Sequence, residues 1–498
     1  MQKLSAVDLA RRLRPAAALG TAFLLFSGLW PCAALALPAF ARQTGQNCLS
    51  CHAGGQFPEL TPYGRMFKMT GYTMGSRTIP ISVMGLGSYS RVGNTSTSGA
   101  DPAQNFQKNG DPIFATGSVF VAGKVTNNIG VFLQATYDNY AAQDEDGSFA
   151  SQLSADNMDI RFADHLVGAN SDLIYGLSFN NNPSLSDPWN TAAAWMQYVP
   201  VPSPGSSQFI DGAAPYPGFG AGGNIAGLTA YAFWNHLLYV ELGTYRTATG
   251  MFSFMSFNYT RPNTTYLNGS WNPYWRVALS HEWGAQNLMI GASGMNARVY
   301  DPGSETSDPN NLGRFSNLGF DAQYQYLLDP NTVTAQLAYM HQVQYYSANT
   351  LAGGSPYFLA DGVTPVAAVN ASDTTNVLRA KLSYVYRATW GGSLSYFDLW
   401  GTTNTLNQSS GYDSNGQITF DDPLGTGIAS TPVNGNLSGN PGTQGQTFEA
   451  FWIPLQYLRV GVQYTVYSKY NGAAVNYDGL GRNASDNNSL FLYVWAAR

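Results

Sequence analysis

The sequence predicts an all-β fold: a transmembrane antiparallel β-barrel of about sixteen strands, preceded by a short helical segment. Three observations predict it: a scarcity of charge, ten-residue stretches alternating with period two, and a regular exchange of short and long links. Of the 498 residues only 11% are charged, against about 25% in an average soluble domain. Aromatic residues reach 14%, with 31 Tyr among them. A lipid-facing wall with aromatic girdles needs this balance, whereas a soluble enzyme needs more surface charge. The formal net charge of -6 gives no reason to expect a nucleic-acid partner.

Residues 1–36 read as a secretory signal peptide. Arg11, Arg12 and Arg14 form a positive start, an apolar stretch runs from Ala16 to Leu29, and Ala34-Leu35-Ala36 is a cleavage site. The Arg11-Arg12 pair also admits twin-arginine export, although its surroundings fit that poorly. Cys32 lies inside the signal, which leaves Cys48 and Cys51 as the cysteines of the mature chain. After residue 37 no apolar run is long enough for a membrane helix. An exported chain of this kind is then a secreted β protein or an outer-membrane barrel.

Residues 37–78 differ from the rest and read as helix and turn. Thr44 is a candidate cap for a short helix through Cys51 and His52. Thr61-Pro62 is a second helix start, and Gly71 is its stop.

Over 79–498 the period becomes two. In one stretch Leu378, Ala380, Leu382, Tyr384 and Tyr386 alternate with Arg379, Lys381, Ser383, Val385 and Arg387. In another, Leu458, Val460, Val462 and Tyr464 alternate with Arg459, Gly461, Gln463 and Thr465. One apolar face and one polar or small face over about ten residues is the repeat of a barrel strand. The expected strands are 81–92, 113–125, 129–138, 158–165, 171–181, 226–234, 237–246, 274–283, 287–298, 317–327, 332–346, 375–387, 392–404, 446–453, 457–470 and 489–496. Short links such as Thr126-Asn127-Asn128, Asn235-His236, Thr389-Trp390-Gly391 and Pro454-Leu455-Gln456 alternate with long ones such as 182–225, 247–273, 347–374 and 405–445. Barrels place short turns on the periplasmic side and long loops outside. A secreted β-helix or adhesin would instead show a short regular repeat, and none is visible. The chain ends in Arg498 rather than the aromatic residue common in such barrels.

Cys48-Leu49-Ser50-Cys51-His52 is a C-x-x-C-H signature of c-type haem attachment. On a helical turn two thiols can form thioethers with the haem vinyl groups, and the next residue, His52, offers its imidazole to the iron. A redox dithiol or half of a zinc site is the alternative for a bare C-x-x-C. Neither fits well, because there is no thioredoxin-like context and no second cysteine pair. The candidate site is therefore Cys48, Cys51 and His52, with one covalent haem c. Met66, Met69 and Met74 are candidates for the distal iron ligand, or simply packing residues. The remaining histidines, His165, His236, His281 and His341, fall in the barrel segment.

These residues, together with Ala39-Phe40-Ala41-Arg42-Gln43-Thr44-Gly45, Pro58, Leu60, Gly64-Arg65, Phe67-Lys68 and Gly71-Tyr72, resemble the fused monohaem cytochrome–porins of the outer membrane, including the iron-oxidising outer-membrane cytochromes. The likeness is sharpest over about 35 residues and continues in the final strand around 487–495. It implies an electron-transfer protein in the bacterial outer membrane with its cytochrome segment inside the barrel or on the periplasmic side. Electrons would pass from an extracellular donor such as Fe(II) to a periplasmic carrier such as a soluble cytochrome c. An Fe(II) oxidase activity would follow from that. A transport porin with a haem plug or sensor, and a haem enzyme with an open coordination site, are the alternatives.

A segment of about 40 residues is too small to form its own core, so it is expected to tuck into the barrel. Lys124, Arg379, Lys381, Arg387, Arg459 and Lys469 are expected on the polar strand faces, as pore lining or as partners for haem propionates. Asp144-Glu145-Asp146 is expected in an outer loop, and 182–225 either folds into the lumen or forms a lid.

Overall fold

The computed structural model describes residues 38–55, 59–94, 110–143, 149–191, 224–256, 266–301, 304–352, 370–404, 438–477 and 481–498, with short pieces at 411–412, 418–419 and 436. The expected signal peptide at 1–36, Pro58 and Asp144-Glu145-Asp146 lie outside the described residues.

Sixteen of the strands described close into one antiparallel barrel: β1 (Ile81–Val92), β2 (Pro112–Lys124), β3 (Ile129–Gln143), β4 (Phe149–Val167), β5 (Asp172–Asn180), β6 (Ile225–Trp234), β7 (Leu238–Thr247), β8 (Pro273–Trp283), β9 (Gln286–Tyr300), β10 (Leu312–Leu328), β11 (Asn331–Tyr345), β12 (Ser372–Tyr386), β13 (Trp390–Gly401), β14 (Thr443–Leu455), β15 (Leu458–Lys469) and β16 (Ser489–Ala497). Each strand pairs with its sequence neighbour. The ring closes where β16 lies against β1, with Met84 opposite Ala497 and Leu86 opposite Trp495. Closure leaves no free edge, which is what lets strands cross a hydrocarbon layer. No helix among the described residues is long and apolar enough to cross one.

The period-two pattern decides which face is lipid-facing. On β12, Leu382, Tyr384 and Tyr386 are exposed while Arg379, Lys381, Ser383 and Val385 are buried. On β15, Val462 and Tyr464 point out while Arg459, Gln463 and Thr465 point in. Exposed Leu, Val and Ile side chains recur round the outside, as with Leu177, Leu242, Leu279, Ile290, Leu337 and Leu394. Tyr and Trp flank this band near the strand ends: Trp234, Trp283, Trp390 and Trp452 at one end, Trp271, Tyr345 and Trp400 at the other. The Trp390 and Trp452 rings stack at 5.5 Å between centroids. An apolar belt between aromatic girdles is the outer surface of a transmembrane barrel.

The short links lie at one end of the barrel, and the first strand enters from that end. Two of them sit two or three residues earlier or later than their composition predicts. The β12–β13 turn is Arg387-Ala388-Thr389, with Arg387 and Ala388 at φ of 50° and 49°. Non-glycine residues rarely adopt that backbone, so the sequence points instead to the following Gly391. The β14–β15 turn is Gln456-Tyr457, because pairing continues to Leu455 opposite Leu458.

Candidate functional site

Residues 38–55 and 59–80 approach from the short-turn end and fold inside the barrel with three helices: α1 (Pro38–Thr44), α2 (Cys48–Cys51) and α3 (Pro62–Met69). Asn47 rather than Thr44 caps α2: its side chain accepts from Ser50 N at 3.1 Å. Thr44 ends α1 instead, and its hydroxyl donates back to the Phe40 carbonyl at 2.8 Å. Both residues are competent caps, so composition alone does not choose between them. Thr61 caps α3 as its sequence predicts, accepting from Gly64 N at 3.1 Å. Gly71, at φ 71°, ends that helix: Gly71 N donates to Lys68 O and Tyr72 N to Phe67 O. These two bonds satisfy carbonyls that the last turn leaves open.

The C-x-x-C-H turn is held from both sides. His52 N donates to Cys48 O at 2.8 Å, closing the turn. The chain after it returns antiparallel, with His52 bridged to Leu60, Thr61 N donating to Cys51 O at 2.9 Å and the Thr61 hydroxyl to Ser50 O at 2.5 Å. The α3 helix rests directly on the turn: a Cβ at Gly64 would lie 2.2 Å from Cys51 O. Only glycine permits that approach. On the other side Cys48 Sγ donates to the Gln456 carbonyl in the β14–β15 turn at 3.1 Å. Gly54 sits against Val385 of β12, where an added Cβ would be 2.7 Å from a methyl group.

Around the rest of the ring the segment is tied to the inner wall by polar side chains. Arg65, buried on α3, donates to Gln325 and Gln323 of β10 at 3.1 and 3.4 Å and to Asn287 of β9 at 3.1 Å. The Tyr72 hydroxyl donates to Asp159 of β4 at 2.7 Å, and the Tyr231 hydroxyl of β6 donates to Met69 O at 2.7 Å. Gln43 accepts from Lys124 N of β2 at 2.8 Å. Glu59 and Lys381 of β12 form an ion pair at 2.6 Å with both side chains buried. Burial alone would raise the Glu59 carboxyl, but the ammonium of Lys381 and its hydrogen bond outweigh that and hold it below its ordinary value. What apolar core the segment has, it shares with the wall: Phe40 packs on Phe67 at 4.9 Å, Tyr72 at 5.4 Å and Phe132 of β3 at 6.1 Å.

The part of the β5–β6 link that is described, 181–191, folds into the lumen and meets α3. Lys68 Nζ donates to Asp187 O at 2.7 Å and Asn190 Oδ1 at 3.1 Å. Burial, reinforced by the nearby Arg161 guanidinium, lowers the Lys68 ammonium to about 7. Trp189 is enclosed with Met69, Ile174, Tyr231, Phe233 and Tyr239. The wall charges at this level are paired and dry: Arg161 with Asp159 at 2.5 Å, and Arg276 with Asp321 at 2.6 Å and Asp187 at 3.2 Å, all with side chains no more than 7% exposed.

Cys48 and Cys51 are not joined in a disulfide; both stand on α2, whereas His52, expected within the helix, is its extended C-cap at φ -120° and ψ 129° because it bridges Leu60. Burial pushes the Cys48 thiol up to about 12 and the Cys51 thiol up to about 11. Two thiols on a helical turn and an adjacent imidazole are the donor set that attaches haem c, and the residues fit that group. Met69 is 1% exposed in the cluster formed with β5–β9, and Met66 packs against the same cluster. Both lie well round α3 from Gly64, the face that meets Cys51, at roughly 100° per residue. Met74 is half-buried just past the helix, its carbonyl accepting from Gln43 at 2.8 Å. His165 and His236 are at the short-turn end beside Asp172, at 2.7 and 3.3 Å. His281 stacks on Trp283, and His341 faces Asn376 at 2.8 Å. Of the expected lumen cations, Lys381 and Arg459 are buried and paired, with Glu59 and Glu449. Arg387 is an exposed turn residue rather than a lining one. The Glu59–Lys381 and Arg65–glutamine contacts join residues more than 250 positions apart, so no local signal in the sequence reveals them.

The fold and this inner segment together define a porin-like barrel with an internal N-terminal plug. No protein-family model matches the chain, and no curated protein matches it. Among solved structures it is similar to the outer membrane channel DcaP of Acinetobacter baumannii, with a TM-score of 0.41 and 10% identity over 84% of this chain and 96% of that one. It is also similar to Salmonella typhi OmpF in complex with daunomycin, with a TM-score of 0.40 and 11% identity over 84% and 97%. A third is an anion-selective porin from Comamonas acidovorans, with a TM-score of 0.40 and 9% identity over 84% and 99%.

Proposed function

We propose that this chain is an outer-membrane electron conduit: a barrel whose N-terminal plug carries one covalent haem c on Cys48, Cys51 and His52. Electrons would pass from an extracellular donor, with Fe(II) the first candidate, to a soluble periplasmic carrier. The single observation that carries this reading is the fixing of the C-x-x-C-H turn between α3 and the short-turn end of the wall. Haem c held there supplies one-electron exchange. The protein's own part is to orient His52 through the Cys48 and Leu60 backbone contacts and to keep the turn rigid. The Arg65, Tyr72 and Glu59 contacts keep the plug seated in the ring. His52 would be the proximal iron ligand in this reading, and Met74 would be the remaining distal candidate, because Met66 and Met69 are packed into the cluster with β5–β9.

A second reading is a solute channel in which the haem plugs or senses. A closed sixteen-strand wall with a polar inner face is the frame of such a channel. Arg161, Arg276 and Lys381 are buried where the plug and the 181–191 segment fill the lumen, an arrangement that both readings share. Proteoliposomes with a trapped oxidised soluble cytochrome separate the two. Reduction of the trapped protein on adding Fe(II) outside supports the conduit. Rapid entry of small solutes without reduction supports the channel.

A further inference from the structure

The charges at the short-turn end are sorted by side. One arc of the ring runs from β12 through β16 and β1 to the β2–β3 turn. At this end it carries Arg387 in the β12–β13 turn, Arg498 after β16, Arg77 just before β1, Arg42 of α1 and Lys124 closing β2. Among the described residues at this end of that arc no Asp or Glu side chain is exposed, since Glu59 is buried against Lys381. The opposite arc, from β4 to β11, carries Asp164 and Asp329, with Asp172 between His165 and His236 and Glu282 3.7 Å from the buried Arg65, and among the described residues it has no exposed Lys or Arg at the same end. The basic arc is also where the C-x-x-C-H turn emerges: Cys48 bonds to Gln456, and α1 packs against β1 and β2. Between these cations the segment 45–49 shows Gly45, Gln46, Asn47 and Leu49 to solvent, with Leu49 37% exposed. Arg42 and Arg77 are set in place by backbone carbonyls, Arg42 on Ile79 and Ile81, and Arg77 on Val125.

We propose that this arc is the docking surface for a soluble protein with an acidic face, which settles on the exposed 45–49 segment. That the partner is a redox carrier rests on the haem reading above; that its face is acidic rests on the charges alone. A small exposed contact flanked by like charges suits a transient encounter site, where opposite charge steers approach and a small contact permits release. A lipid headgroup layer would meet the rim equally on all sides, whereas these cations occupy one side only. Two of them, Arg42 and Arg77, belong to the plug segment rather than to the strands.

The test uses the full chain in detergent and fluorescently labelled flavodoxin, an acidic redox protein, as the probe. Binding is expected to weaken steeply with added salt. It should fall about tenfold or more at low ionic strength in the variant Arg77→Glu/Arg387→Glu/Arg498→Glu. The variant Asp164→Asn/Asp329→Asn should bind within about twofold of the parent. Retained heat-modifiable gel mobility shows that each barrel is folded. The proposal is overturned if the charge-reversed protein binds like the parent, or if a basic mitochondrial cytochrome c binds more tightly than flavodoxin. It is also overturned if phosphatidylglycerol vesicles are captured through these arginines and flavodoxin is not. Fluorescence binding needs no haem, and the visible spectrum of the same sample reports haem content separately. A sample without haem that still binds flavodoxin overturns the electron-transfer reading and leaves the docking surface standing.

Discussion

The wall and the plug obey different rules. Every strand of the wall is bonded to a neighbour on each side, and its apolar face needs only lipid. The plug has three helices of 7, 4 and 8 residues, each too short to persist alone, since isolated helices under about 12 residues are marginal in water. It is held by side-chain bonds to the wall and by aromatic rings shared with β3. The wall is therefore self-sufficient, whereas the plug is ordered only because the wall surrounds it. Changes in the plug should alter its chemistry and seating while leaving the barrel intact.

The sharpest way to break that comparison is Cys48→Ala/Cys51→Ala. All covalent haem should be lost while heat-modifiable mobility is unchanged, read by haem staining of a denaturing gel. Next is Lys381→Met, which leaves the Glu59 carboxylate buried and unpaired. Removing one partner of a buried pair costs roughly 3–5 kcal/mol, here expected as faster proteolysis of the plug. Adding Glu59→Leu should recover most of that loss. If both single and double variants behave like the parent, the pair does not seat the plug.

pH sharpens the same seam. Glu59 lies below its ordinary value of 4.5 when docked. Its contribution is full above that pH and is lost as pH falls through the lowered value. Lys68 is lowered from 10.5 to about 7, so between those values the free plug holds a proton that the docked plug releases. Docking should strengthen as pH rises through that window. Hydrogen exchange of 59–72 against pH checks both, with Glu59→Gln removing the acid limb and Lys68→Met flattening the alkaline one. A smaller effect is expected from Gly64→Ala, which forces α3 off the Cys51 carbonyl at a cost of about 1–3 kcal/mol. The smallest is Thr61→Ala, about 1 kcal/mol for a lost helix cap; both are read as lowered haem occupancy and plug protection.

Much of the wall was legible because its rule is local. Alternation at Leu378–Tyr386 and Leu458–Tyr464 states both strand and facing within ten residues. Each of the sixteen expected strands has its counterpart, with ends shifted where, as at Arg387-Ala388, the turn uses unusual backbone. The C-x-x-C-H turn and the Thr61-Pro62 helix start were legible for the same reason. The seam was not. Glu59–Lys381 spans 322 positions and joins a plug residue to one that reads only as pore lining. The inward course of 181–191 depends on Arg161 donating to Ser186 O and Gln323 to Trp189 O, long-range bonds with no periodic signature.

The central claim is that one haem c sits on the plug inside this barrel. The direct measurement is the visible spectrum of the folded, full-length protein, purified from cells with working haem-attachment machinery, before and after Fe(II) is added. The account predicts one haem per chain, covalently held by the peptide containing Cys48 and Cys51, and a c-type α-band that rises on Fe(II) addition. A band that dithionite raises and Fe(II) does not would keep the haem and remove iron as the donor. A folded barrel with no haem band would contradict the account.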